Sequence, residues 1–494
     1  MKSSVTASDC GFTNTLVLDG QPRGTSTLDG VVAIESEPLA VEESCVSIPI
    51  HPLGVKPSGN QYTATSNARH RVGFFQILPD EILAIFLEYL DSRELRLLGS
   101  TCKFMSPQSK SGSFQWQGTW RSTHLNLKSE QVYRIRCDDV FSDVLYRPFL
   151  CTHTSLQPYT TNILFSNIIA RFSDLSPEDF SEHWSDKPFI LTSPVRSWPV
   201  YKSWDTVALL QEYSSTKFRA EAVDWTLSTY IQYMTNNTDE SPLYLFDRSF
   251  VSKMSLSTMQ SDSNHAYSIP ACFGEDLFAV LGDQRPDDKW LIIGPARSGS
   301  TYHKDPNATS AWNAVLRGSK YWIMFPSGPS SPPPPGVYVS ADQSEVTSPL
   351  SIAEWLLGFH AEARKTPGCI EGVCREGEVL HVPSGWWHLV VNLEESIAIT
   401  QNFVPRAHLS GVLGFLRDKR EQVSGFRKEV LDPYEAFMKG MRREHPELLE
   451  QGFAELQKET EGRKRKWDVA VGRGEAEASG FSFGFGDESD EEVP

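Results

Sequence analysis

A chain of 494 residues, 39% hydrophobic and 11% aromatic, has room for two or three domains and enough apolar mass to bury a core. Its formal charge of -17 and pI near 5.2 argue against a primary nucleic-acid binder, which needs a basic face, and serve solubility before they serve basic protein partners. Eight scattered cysteines without a Cys-x-x-Cys pair argue against a disulfide scaffold or structural zinc, and the lack of a leader-like apolar core or an apolar run near 18 residues predicts a soluble, intracellular protein that leaves membranes alone.

Residues 1–71 are rich in Ser, Thr, Gly and Pro and have no sustained period, the composition of a mostly disordered segment, with a small β-extension as the alternative. From Phe74 a helix is expected: Pro79 suits a first turn, Asp80 and Glu81 favour the positive helix end, and Ile82, Phe86 and either Tyr89 or Leu90 share one stripe. Asp91-Ser-Arg-Glu94 reads as a capping box that opens a second helix with Leu95, Leu98 and Cys102 inward. In Leu78-Pro79-x-Glu81-Ile82-Leu83 and Leu97-x-x-x-Thr101-Cys102-Lys103, residues 72–125 resemble an F-box. That resemblance implies docking to a Skp1-type adaptor of a cullin ubiquitin ligase. The same helices would serve equally to buttress the next domain.

Residues 126–186 read as a helical linker packing on a barrel, with short helices over 162–172 and 177–184. A first barrel strand is expected at 187–191, helices at 204–213 and 226–234, and a short strand at 243–246 bearing Tyr244, whose phenol can donate to a carboxylate. Residues 290–293 form a buried strand. The glycines from Gly294 onward are not a phosphate loop, because Gly-Lys-Ser/Thr is missing and no helix period follows.

His303 and Asp305, two apart, would leave one face of a strand together. A third ligand must come from elsewhere. The turn Pro383-Ser384-Gly385 followed by a strand over 386–393 offers His388, with His381 and His360 as alternatives on spacing alone. Two imidazoles and a carboxylate on one side of an ion make the facial triad of non-haem Fe(II) oxygenases. Lys320 lies in the apolar run 318–325, so it is a buried cation wanting an anionic ligand. Along 396–403, Ser396, Ala398, Thr400 and Asn402 alternate with Ile397, Ile399 and Phe403, giving one roomy, polar face.

The Pro-rich 330–336 reads as a stiff surface insertion, 352–363 as a helix, and Cys369 and Cys374 as free thiols in a loop. Residues 407–458 carry helical patterns at 409–415 and 433–441. Residues 459–494 read as a disordered tail, basic at Arg463-Lys-Arg-Lys466 and then acidic. The basic cluster resembles a nuclear localisation signal, so a nuclear protein is expected, with the cytoplasm also open.

The blocks Ser241-Pro-Leu-Tyr-Leu-Phe-Asp247, Gly294-Pro-Ala-Arg-Ser-Gly-Ser300, His303-Lys-Asp-Pro306, Thr309-Ser-Ala-Trp-Asn-Ala314, Val382-Pro-Ser-Gly-Trp-Trp-His388 and Ile397-Ala-Ile-Thr-Gln-Asn-Phe403 together resemble the Jumonji C (JmjC) oxygenases. The likeness is greatest to the branch first described as a phosphatidylserine receptor and later as an arginine demethylase and lysyl hydroxylase. It implies an α+β fold: a double-stranded β-helix (a cupin-like, jelly-roll barrel) over 187–406 with flanking helices and the small α-helical F-box. It also implies Fe(II) on His303, Asp305 and His388, and 2-oxoglutarate held by Lys320, Thr400, Tyr244 and Asn313, with Thr400 and Tyr244 as hydrogen-bond donors. In that branch the C-terminal helices pair two protomers, so a homodimer is one expectation and packing on the same barrel the other. The implied reaction is oxidation of a basic protein side chain, lysyl hydroxylation first, with demethylation of methyl-Arg or methyl-Lys as the alternative. A substrate receptor for ubiquitylation that uses the barrel only for binding is the competing reading.

Overall fold

The computed structural model describes residues 51, 54–57, 77, 89, 142–257, 265–328, 331–340, 344–349 and 351–470. The expected F-box, the capping box at 91–94 and the acidic end of the tail lie outside the described residues.

Among the described residues the strands form two larger sheets and a small hairpin. In chain order they are β1 (Ala170–Phe172), β2 (Phe189–Leu191), β3 (Lys217–Ala220), β4 (Val223–Thr226), β5 (Leu245–Asp247), β6 (Lys289–Gly294), β7 (Gly299–His303), β8 (Ser310–Arg317), β9 (Ser319–Phe325), β10 (Tyr338–Val339), β11 (Val346–Thr347), β12 (Ile370–Arg375), β13 (Val379–Val382), β14 (Trp387–Asn392) and β15 (Ser396–Phe403). The nine-stranded sheet runs β1-β2-β13-β8-β15-β6-β5-β3-β4 and the four-stranded one β12-β9-β14-β7. Pairing is antiparallel throughout except between β1 and β2.

The side-chain period of two sends alternate residues of each strand to opposite faces, and both faces are covered, which is why β8, β9, β14 and β15 read as almost unbroken buried runs. Between the sheets, Ile190, Ala311 and Val315 from the large sheet share one core with Trp322, Met324, Cys374 and Val390 from the small one. On the outer face of the large sheet, Phe189, Leu291, Ile293, Ile397 and Ile399 pack under helices α1 (Thr206–Tyr213) and α2 (Leu227–Asn236) through Leu209, Leu227 and Tyr230. On the outer face of the small sheet, Tyr321, Ile323, Leu389 and Val391 meet Trp355 and Leu356 of α3 (Ile352–Ala363). Ser351 caps α3 by accepting from the Glu354 amide at 3.1 Å. This layering is the one expected of a cupin-like jelly roll.

A fourth cluster joins Leu277 and Phe278 to α4 (Leu409–Asp418), α5 (Pro433–Glu444) and α6 (Pro446–Ala470) through Leu413, Phe437, Met441 and Leu456. Among the described residues no helix is long and apolar enough to cross a membrane.

Three expectations need correction. Residues 162–172 are not a helix: a 3-10 turn at Phe165–Asn167 leads into β1, because the short apolar run finds a ready edge at β2. Cys374 sits inside β12 and not in a loop, although both it and Cys369 are free and buried. The tail expected to be irregular from 459 continues as helix to Ala470.

Candidate active site

Cross-strand register brings the predicted residues together. His388 on β14 lies directly opposite His303 on β7, and the two ring centroids are 4.1 Å apart. The pairing shifts register between His388 and Val390, an irregularity of the kind that re-aims side chains beside active sites. The ligand atoms of His303, Asp305 and His388 all lie within 4.8 Å of one another. Asp305 arrives differently from the expectation, since β7 ends at His303 and Asp305 opens a 3-10 turn. Pro306 explains the break: it has no N–H to continue a ladder.

The local chemistry fits a metal ion. His303 Nδ1 bonds the Thr301 carbonyl at 2.8 Å and His388 Nδ1 bonds the Trp386 carbonyl at 3.0 Å. A proton is therefore held on each Nδ1, and each Nε2 lone pair is left free for a ligand bond. Burial, with His303 adding to it, keeps the His388 imidazole neutral well below the ordinary histidine range. Asp305 Oδ2 is buried without a hydrogen-bond partner, and burial pushes this carboxyl up to about 6 against the opposing pull of His303. Two imidazoles with their Nε2 atoms turned away from the backbone and a carboxylate oxygen without a partner form a donor set suited to a divalent, borderline-hard cation. His381 and His360 are elsewhere. His381 bonds the Lys187 carbonyl among Phe180, Phe189 and Phe273, and His360 bonds the Tyr321 hydroxyl under α3.

Four residues along β14 from His388, and so on the same face, lies Asn392, opposite Lys320 of β9. Lys320 is wholly buried, and its ammonium donates to Tyr244 Oη at 2.9 Å and Asn392 Oδ1 at 2.8 Å, both neutral. Burial pulls its pKa down from 10.5 to about 7. An ammonium has three donors, so one is left to meet an anion, and Tyr244, having accepted from Lys320, keeps its own hydroxyl hydrogen to give.

On the facing sheet Trp290, Thr400 and Asn313 stand side by side on β6, β15 and β8. Asn313 Oδ1 is buried and unpartnered. Thr400 departs from its expected role, because its hydroxyl donates to the Trp312 carbonyl at 2.8 Å and is not a free donor here. All of these residues except Lys320 and Asn392 line one cavity of about 650 Å³, which also holds His303, Asp305 and His388; Lys320 lies behind that lining, bonded to Tyr244.

Asn392 and Ser298 were not foreseen. Asn392 Nδ2 donates to Ser298 Oγ at 3.0 Å, and Ser298 Oγ donates to the Pro295 carbonyl, so the loop after β6 braces the residue that holds Lys320. The signal available in the sequence was a polar side chain at an even spacing from His388 inside an apolar strand. Lys304, assigned no role from sequence, lies 4.6 Å from the centre of the Trp387 ring, a cation–π contact.

Comparison with known proteins agrees with this geometry. A model of the cupin-like domain matches residues 179–408. The chain is 36% identical over 459 residues to the Arginine-specific demethylase JMJ22 of Arabidopsis thaliana, covering 86% of this chain and 88% of that one. It is 34% identical over 256 residues to the Bifunctional arginine demethylase and lysyl-hydroxylase psr-1 of Caenorhabditis elegans, covering 48% and 61%. With the human 2-oxoglutarate and iron-dependent oxygenase JMJD4 it shares 28% identity over 177 residues, 34% of this chain and 40% of that one.

Proposed function

From the premise that this chain belongs to the cupin-like JmjC family of Fe(II)- and 2-oxoglutarate-dependent oxygenases, we propose that it oxidises a basic side chain of a protein substrate, with its two larger sheets forming the family's double-stranded β-helix. One observation carries the site assignment: a fully buried lysine without an acidic partner shares an interior with two histidines and a carboxylate whose free ligand atoms converge. A hydrophobic core gains nothing from such groups, whereas a dicarboxylate cosubstrate beside a metal ion uses every one of them.

In this reading His303, Asp305 and His388 would hold Fe(II). When bound, iron couples dioxygen to the decarboxylation of 2-oxoglutarate, giving succinate and CO2 and placing one oxygen atom on a substrate C–H bond. The chain's own residues do the rest. Lys320 neutralises the distal carboxylate, Tyr244 donates to it, and Asn392 aims the lysine; Asn313 offers its unpartnered amide oxygen to the cavity. Trp322, Val382 and Val390 give the cavity part of its apolar wall.

Two outcomes share this machinery and differ in which C–H bond reaches the metal. N-demethylation of methyl-arginine has the support of the likeness to JMJ22 across most of both chains. Lysyl hydroxylation, the sequence-based expectation, has the support of psr-1 over a shorter span. The test is succinate release from 2-oxoglutarate with Fe(II) and basic peptides, wild type against His303→Ala, followed by mass spectrometry. A gained oxygen atom on an unmethylated lysine identifies hydroxylation, and loss of a methyl group with formaldehyde release identifies demethylation. Equal succinate from wild type and His303→Ala would refute the site.

A further inference from the structure

Beyond Asp305 and Pro306 come two consecutive non-glycine residues in the left-handed region, Asn307 at φ 56° and Ala308 at φ 55°. Such a backbone persists only where its surroundings hold it, and here the hold can be traced. Asn307 is 2% exposed, and its amide makes a two-point clamp: Nδ2 donates to the Ser424 carbonyl at 2.9 Å while Oδ1 accepts from the Ser424 amide at 3.0 Å. Ala308 packs against the cluster of C-terminal helices, and its carbonyl accepts from Ser384 Oγ at 2.6 Å, inside the turn that delivers His388. The strained turn is thus tied on one side to the chain after α4 and on the other to the second histidine's turn.

We propose that Asn307 is a positioning residue for the metal centre and that the segment after α4, through Ser424, is part of that centre's support. The inference rests on the assignment of His303, Asp305 and His388 as metal ligands. Released from Ser424, the turn is no longer held in one place, and the Asp305 carboxylate two residues earlier is free to move away from the two imidazoles. Asn307 touches neither metal nor substrate and acts only through Asp305.

The test is anaerobic Co(II) titration of the full chain, read by the visible absorption of the bound ion, beside thermal unfolding of the metal-free protein. Asn307→Gly removes the clamp while leaving a residue at ease in the left-handed region, so it is the variant that folds; Asn307→Ala removes the clamp and keeps the strain. Both are expected to bind Co(II) about 10- to 100-fold more weakly than wild type, the usual effect of losing a residue that orients a ligand. Asn307→Asp keeps the acceptor for the Ser424 amide and should recover part of the loss. Wild-type affinity in Asn307→Gly overturns the proposal, as does a loss no greater in Asn307→Gly than in an equally destabilised surface variant. Wild-type protein that binds no Co(II), or binds it as well after His303→Ala, overturns the ligand assignment and the inference with it.

Discussion

Replacing Lys320 by Met should separate stability from function in opposite directions. The ammonium is fully buried with two neutral partners, and burial alone takes its pKa from 10.5 to about 7. At about 1.4 kcal/mol per pH unit, that gap sets a folding penalty of at most about 5 kcal/mol. Because the folded-state pKa lies below the unfolded one, the penalty is complete below pH 7 and fades as pH rises toward 10.5, where both states are neutral. Methionine fills a similar volume without charge, so the metal-free variant should unfold at a higher temperature than wild type at pH 6.5, and the difference should shrink at pH 9.5.

Affinity for 2-oxoglutarate should move the other way, since leaving its distal carboxylate buried and unpaired costs about 3–5 kcal/mol, a loss of at least 100-fold. In wild type the same affinity should fall as pH rises above 7 and the free lysine loses its proton. Melting curves at the two pH values and calorimetric titration with 2-oxoglutarate measure both. A Lys320→Met variant no more stable than wild type at pH 6.5, or one that binds the cosubstrate within tenfold of it, would refute the reasoning.

The brace behind the lysine gives a second expectation: Asn392→Ala should raise the KM for 2-oxoglutarate by about 1–3 kcal/mol, roughly 5- to 150-fold, with kcat changed less, as steady-state succinate kinetics would show. Gly294→Ala would place a methyl group 2.7 Å from Asn392 Nδ2 and 2.8 Å from Tyr244 Cδ2, so about 1–3 kcal/mol of stability should be lost together with cosubstrate affinity, read by urea unfolding and titration. Glu371, 1% exposed, accepts from Arg364 Nε at 2.7 Å and from Tyr321 away from the cavity; Glu371→Leu should cost about 3–5 kcal/mol in unfolding while the KM of the surviving folded enzyme stays put.

The sequence made the site legible wherever a strand carried it. The period of two in 396–403 predicts the inward face that Ala398, Thr400 and Asn402 present, and the apolar setting of Lys320 predicts its burial. The readings failed where something other than strand periodicity decided the conformation. The two-residue spacing alone puts Asp305 on the strand with His303, whereas Pro306 ends the ladder before it. The family resemblance makes the Thr400 hydroxyl a donor to the cosubstrate, but the carbonyl of Trp312 takes its hydrogen. The even spacing of Asn392 from His388 puts it on the inward face, but its partner, Lys320, becomes evident only once the register across the sheet is known. Residues 162–172 carried too short an apolar run to separate helix from strand.

The position of β7 has a consequence for how the enzyme is made. Among the described residues it is an edge strand paired only with β14, so the histidine that ends it has no fixed place until the far later histidine strand has been synthesised and has docked. A nascent chain still lacking that strand offers an incoming metal only one imidazole and one acid on an unpaired ribbon. With iron on His303, Asp305 and His388 as proposed, its capture has to wait until β14 has emerged from the ribosome and docked, and stalled chains that have not yet exposed β14 should emerge empty.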